Sequence, residues 1–120
     1  MLMVDDDADI RRIGQLSLVK VGRWDVELAA SGTEAIAMAA SAKPDLILLD
    51  VMMPGLDGPS TLSQLKSDPQ TAGIPVIFMT AKVLSQEVEQ YMSMGASGVI
   101  AKPFDPMKLP EEIRRILQST

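Results

Sequence analysis

Five short apolar runs alternate with five stretches of helical period along 120 residues, and this alternation constrains the fold more than any other feature. Leu2-Met3-Val4, Leu46-Ile47-Leu48-Leu49 and Val76-Ile77-Phe78-Met79 are continuous runs. Such runs suit strands of a parallel sheet covered on both faces, where every side chain meets a packed helix. Residues 26–30 alternate more and residues 97–101 are only partly apolar, which assigns those two strands to the sheet edges. The order βαβαβαβαβα then predicts an α/β fold with five parallel strands and helices on both faces. No repeat, linker or low-complexity tract interrupts the chain, so residues 1–120 are expected to form one domain.

Between the runs the period becomes helical. Leu109, Ile113, Ile116 and Leu117 fall at i, i+4, i+7 and i+8, as do Leu84, Val88, Tyr91 and Met92, so each set is expected to line one helix face. Ser31-Gly32-Thr33-Glu34 fits a capping box, in which the Ser hydroxyl accepts from the amide three residues on while the Glu reaches back. Gly95 falls where a left-handed C-cap would close a helix starting near Ser85. Helices are also predicted from Ala8 to Val21 and from Pro59 to Ser67, the latter with Leu62 and Leu65 inward. Pro106 and Pro110 both fall near the start of the last periodic segment. A proline five positions into a helix removes a backbone hydrogen bond, so the regular helix is placed from near Pro110, after an irregular turn.

Composition removes several function classes. The chain has no Cys, which excludes a disulfide framework, thiol catalysis and Cys-based metal sites, and no His, the usual general base and transition-metal ligand. A net charge of −5 argues against direct nucleic-acid binding, which calls for a basic stripe. No apolar run approaches the roughly 18–20 residues that span a bilayer, and the N-terminus turns acidic at Asp5 where a signal peptide would still be apolar. The expectation is a soluble, cytoplasmic chain with no membrane partner. The nine Met residues read as core filler, Asp57-Gly58 as a turn and Asp7 as the N-cap of the first helix.

Ligands of open parallel sheets bind beyond the carboxyl ends of the strands, where the strand order reverses. Strand one runs into Asp5-Asp6-Asp7, strand three into Asp50, strand four into Thr80 and strand five into Lys102. In the usual order 2-1-3-4-5, strands one and three are neighbours, and three or four carboxylates share one crevice. Like charges a few Å apart in a partly desolvated cleft repel strongly, and a hard divalent cation with oxygen ligands relieves them. Mg²⁺ suits a few carboxylates, a carbonyl and waters, and completes its shell with phosphate oxygens. Cation, carboxylate, hydroxyl and lysine together are what phosphoryl transfer needs: an Asp oxygen as nucleophile, the metal and Lys102 on the equatorial oxygens, and the Thr80 hydroxyl on another.

These residues carry a resemblance to the receiver domain of two-component response regulators. The motifs are Val4-Asp5-Asp6-Asp7, Leu49-Asp50-Val51-Met52-Met53-Pro54-Gly55 followed by Asp57-Gly58, Met79-Thr80-Ala81 and Lys102-Pro103-Phe104, in order and at spacings close to the family's own. The resemblance implies a flavodoxin-like fold and phosphorylation of Asp50 by a partner's phosphohistidine, on a histidine kinase or a histidine phosphotransfer protein. It implies Mg²⁺ held by Asp6, Asp50 and the Met52 carbonyl, with Asp5 acting largely through water. Thr80 and Lys102 would read the phosphoryl group, and the Lys102-Pro103 bond would be cis, which proline permits. Output would pass to a downstream protein or a fused output domain.

Other classes fit less well. A haloacid-dehalogenase-like phosphatase looks for a second Asp two residues after the nucleophile, and Met52 stands there. A flavin-binding module wants a Ser, Thr and Gly-rich loop after strand one, where three aspartates would repel the phosphate. A degenerate receiver serving only as an interaction module would lack some of the polar positions, and all are filled. The chain departs from the family at the position three before the Lys, where receivers commonly carry Tyr or Phe and Val99 stands here. The resemblance also implies that Met52 and Lys82 would occupy the two positions that flank the path of the hydrolytic water in receivers.

Overall fold

The computed structural model describes residues 1–118; of the expected domain, residues 119 and 120 lie outside the described residues. The elements follow the predicted order: β1 (Leu2–Val4), α1 (Ala8–Leu16), β2 (Glu27–Ala29), α2 (Gly32–Ala42), β3 (Ile47–Asp50), α3 (Gly58–Ser67), β4 (Val76–Thr80), α4 (Ser85–Ser93), β5 (Gly98–Ala101) and α5 (Leu109–Gln118). The strands form one parallel sheet in the order β2-β1-β3-β4-β5, with the two less apolar strands at its edges.

Alternation along each strand divides the core into two layers. Leu2, Val4, Ile47, Leu49, Val76 and Phe78 face α2 and α3, packing with Ala35, Ala39, Leu62 and Leu65. Met3, Leu48, Ile77, Met79 and Ile100 face the opposite way, packing with Leu18, Leu109 and Ile113 from the α1 and α5 side. Each fully buried Leu, Ile or Phe contributes on the order of 1.5–3 kcal/mol of transfer free energy. The methionines divide between layers and surface: Met3, Met53 and Met79 are buried, whereas Met52, Met92 and Met107 are exposed.

The caps show why the helices begin where they do. Asp7 accepts from the amides of Asp9 and Ile10, and Ser31 from that of Glu34. Glu34 reaches back to the Ala30 amide, one residue before the cap itself. Gly95 has φ +107°, in the left-handed region that closes α4. An irregular turn, in which the amides of Lys108 and Leu109 both donate to the Asp105 carbonyl, leads into α5.

Two features differ from the sequence expectation. The helix from Ala8 to Val21 ends in a π-helical turn over Ser17–Val21, where the Gly22 amide reaches the Ser17 carbonyl five residues back. The Ser17 hydroxyl donates to the Pro106 carbonyl and so ties this turn to the β5–α5 connection. The second difference is α4, none of whose residues is fully buried: Tyr91 is half-buried against the core, while Leu84 and Met92 are exposed. Its apolar stripe is only half seated.

Candidate functional site

At the carboxyl end of the sheet, β1 and β3 run side by side with Val4 paired to Leu49, which brings Asp5 and Asp50 into one crevice. Asp5 is 0% exposed. One of its carboxylate oxygens accepts from the Asp7 amide at 2.9 Å and the other from Lys102 Nζ at 2.9 Å. Its backbone carbonyl accepts from the Arg11 guanidinium at 2.6 Å, which fastens the β1–α1 turn to the first helix. Asp50, also buried, lies 3.3 Å from Lys102 Nζ through Oδ1 and takes a further hydrogen bond from the Met52 backbone. Asp6 is exposed at the mouth.

Lys102 reaches the crevice from the far edge of the sheet. Its amide donates to the Thr80 carbonyl at 2.9 Å, and its peptide bond to Pro103 is cis, as the resemblance implied. Thr80 ends β4, buried, and its Oγ1 accepts from the Lys82 amide at 3.2 Å, leaving the hydroxyl proton available for donation. Beside it, Val51, Met52, Thr80, Ala81, Lys82, Glu87 and Tyr91 line a cavity of about 270 Å³. Met52 is 78% exposed over that opening.

Gly58 sets the position of the acceptor from behind. A Cβ there would fall 2.5 Å from the Asp50 carbonyl oxygen and 2.7 Å from the Val51 Cα. The Gly58 amide donates to the Val51 carbonyl at 2.9 Å, and Asp57 caps α3 by accepting from the Ser60 amide. Asp57-Gly58 is thus a helix start pressed against β3, more than the turn that the dipeptide suggests. The sequence marked Gly58 only as a turn residue, because close backbone approach leaves no periodic trace, and it did not mark Arg11, which reads as an ordinary helical cation.

The electrostatics leave the crevice short of positive charge. Burial, and then the neighbouring charge of Asp5, push the Asp50 carboxyl above its ordinary range, against the opposing pull of Lys102 and the Met52 backbone. Burial draws the Lys102 ammonium downward, but its hydrogen bond to Asp5 and the charges of Asp5 and Asp50 outweigh that, so its pKa is raised. Three carboxylates therefore face one firmly protonated ammonium. Asp5, Asp6 and Asp50 each offer an oxygen, and these oxygens lie within 4.8 Å of one another. An all-oxygen, carboxylate-rich set with this excess of negative charge fits a hard divalent cation such as Mg²⁺.

A five-stranded parallel sheet of order 2-1-3-4-5 with an acidic crevice at its switch point defines a flavodoxin-like domain. The family described as the response regulator receiver domain matches residues 1–114, and the chain belongs to that family. It is similar to the DNA-binding dual master transcriptional regulator RpaA of Synechocystis sp., 36% identical over all of this chain and 49% of that protein. It is also similar to the phosphate regulon transcriptional regulatory protein PhoB of Pseudomonas aeruginosa, 38% identical over all of this chain and 52% of that one. The chain thus spans about half the length of these relatives. Among solved structures, the chemotaxis response regulator CheY4 of Vibrio cholerae superposes with a TM-score of 0.88 at 32% identity, over 96% of this chain and 95% of that one. No helix among the described residues is long and apolar enough to cross a membrane.

Proposed function

We propose that the chain is a phosphoryl-accepting switch in which Asp50 is the acceptor. The observation that carries this reading is the convergence of Asp5, Asp6 and Asp50 with Lys102 at the carboxyl end of the sheet. An Asp50 carboxylate oxygen attacks the phosphorus of a phosphohistidine on a histidine kinase or phosphotransfer protein; the new P–O bond forms as the P–N bond breaks, and the electron pair leaves with the imidazole. Asp5, Asp6, Asp50 and the Met52 carbonyl are the proposed holders of Mg²⁺. When bound, the ion supplies positive charge that offsets the phosphoryl oxygens.

The protein's own groups complete the site. Lys102 is already close to Asp50 and keeps its charge, so it can pair with a phosphoryl oxygen as the product forms. The Thr80 hydroxyl has a proton to donate to another. The domain promotes only its own phosphorylation and dephosphorylation, and acts in the cytoplasm by changing a protein-interaction surface. Output passes to a downstream protein or a fused domain; for relatives named as DNA-binding regulators, nucleic-acid contact is a property of the whole protein, on which the acidic balance of these 120 residues has no bearing. Incubation with acetyl phosphate and Mg²⁺ should add one phosphoryl group by intact-mass analysis. Equal labelling after chelation of the metal would contradict the metal requirement.

A further inference from the structure

Met52 and Met53 are neighbours in the chain with opposite surroundings. Met53 is buried in the core layer that holds Leu62 and Leu65, whereas Met52 is 78% exposed. Oxidation of a thioether requires access to the sulfur, so of this adjacent pair only Met52 is open to a dissolved oxidant. Met107, 70% exposed, is the other methionine left as open, while Met3 and Met79 are fully buried.

The two exposed sulfurs differ in what lies beside them. The Met52 backbone hydrogen-bonds the Asp50 carboxylate, and its side chain lines the cavity of about 270 Å³ that Thr80 and Lys82 share. It also lines a depression of about 450 Å³ with Pro54, Asp57 and Pro59. Met107 lines a groove with Ile13, Leu16 and Pro106 that has no residue in common with either. A thioether is a weak hydrogen-bond acceptor, and a sulfoxide is polar and accepts strongly. Oxidation at Met52 therefore places a new acceptor in the space next to Asp50, where Lys82 and water can donate to it, and oxidation at Met107 does not.

We infer that Met52 is a site of reversible oxidation by hydrogen peroxide, and that its sulfoxide shortens the lifetime of phosphorylated Asp50. This rests on the proposed role of Asp50. The Met52 sulfur takes one oxygen atom from the peroxide: the S–O bond forms as the O–O bond breaks, water leaves, the sulfur is oxidised by two electrons and the peroxide is reduced. The sulfoxide oxygen then accepts from a water molecule beside the acyl phosphate and holds it for attack. The water oxygen bonds to phosphorus as the bond to the Asp50 oxygen breaks, which releases inorganic phosphate and the carboxylate, and the proton passes to solvent. Thiol-dependent sulfoxide reduction returns the thioether, with two thiols oxidised to a disulfide and water released.

The test treats the full chain with hydrogen peroxide, removes the excess with catalase, and maps the oxidised methionines by peptide mass. Met52 and Met107 should carry oxygen while Met53 and Met79 stay reduced. Treated and untreated samples are then phosphorylated with acetyl phosphate and Mg²⁺, and loss of the phosphoryl mass is followed after the donor is removed. Oxidation should speed this loss several-fold in wild type and in Met107→Leu, and should leave Met52→Leu decaying as its own untreated sample does. Leucine keeps the apolar volume of methionine and has no sulfur to oxidise. The two methionine sulfoxide reductases, one for each sulfur epimer, should restore the wild-type lifetime. Met52 left reduced where Met107 is oxidised, an unchanged or slower decay in oxidised wild type, an acceleration that persists in Met52→Leu, or a lifetime that the reductases fail to restore would overturn the inference and leave the acceptor role intact. If untreated wild type gains no phosphoryl mass, the acceptor reading fails and the inference falls with it.

Discussion

Lys102 Nζ lies 2.9 Å from a carboxylate oxygen of Asp5, a fully buried group 97 residues away in the chain. The contact holds the end of edge strand β5 to the centre of the sheet, and it places one cation among the carboxylates of the crevice. Lys102→Met leaves the buried carboxylates without their ammonium. The lysine side chain keeps some solvent exposure, so the expected loss is about 1–3 kcal/mol, the penalty for an unpaired buried polar group. Urea unfolding without metal measures it. Saturating Mg²⁺ should recover much of the loss, and Mg²⁺ should bind this variant more tightly than the wild type.

The raised Asp50 carboxyl makes metal-free stability depend on pH. Because the folded chain holds that proton more tightly than the unfolded chain does, the contribution of Asp50 declines as pH rises from the usual carboxylate range through its raised value. Lys102, raised for its own reasons, contributes fully below the ordinary lysine range and loses this only as pH climbs through its folded value in alkali. Asp50→Asn should therefore have a higher melting temperature than wild type at neutral pH without metal. The advantage should vanish in acid and shrink with saturating Mg²⁺. A metal-free Asp50→Asn protein that melts below wild type at neutral pH would show that the charge is better compensated than the geometry indicates.

Asp6 and Asp7 are adjacent and both exposed, yet their side chains have different work. Asp7 is committed to the amides of α1, whereas Asp6 shares the crevice with Asp5 and Asp50. Asp6→Ala should weaken Mg²⁺ binding by about tenfold or more, by comparison with the loss typical of residues that only support a ligand. Asp7→Ala should change metal affinity little and instead lower stability by about 1 kcal/mol through the lost cap. Metal titration and thermal unfolding of the two variants separate these effects.

Met52, two residues after Asp50, lines the cavity beside Thr80 together with Lys82, and its side chain offers a water molecule no strong hydrogen-bonding group. Met52→Asn should order the hydrolytic water and shorten the lifetime of the phosphorylated protein several-fold. Decay of the labelled fraction, followed by mass after removal of the phosphodonor, tests this; an unchanged or slower decay contradicts it.

Much of this was legible in the sequence because apolar runs and helical periods report burial directly. The edge positions of β2 and β5 and the Asp7 and Ser31 caps follow from residue patterns, whereas the order of the strands came from the usual arrangement of such sheets. The crevice was legible because Asp5, Asp6, Asp50, Thr80 and Lys102 each terminate a strand. What was hidden depends on third-dimension contact: the Ser17 hydroxyl in the π-turn meets the Pro106 carbonyl, and Gly58 is required because α3 starts against the Asp50 carbonyl. The half-seated α4 was not legible either, since a period of 3.6 fixes which residues share a face but not whether that face is covered.

The central claim is that Asp50 accepts the phosphoryl group, and it is tested most directly by treating wild type and Asp50→Asn in parallel with acetyl phosphate and Mg²⁺ and weighing the intact proteins. Wild type should gain the mass of one phosphoryl group, lost again on mild alkaline treatment as expected of an acyl phosphate, and Asp50→Asn should gain none. Equal labelling of the two proteins would contradict the assignment.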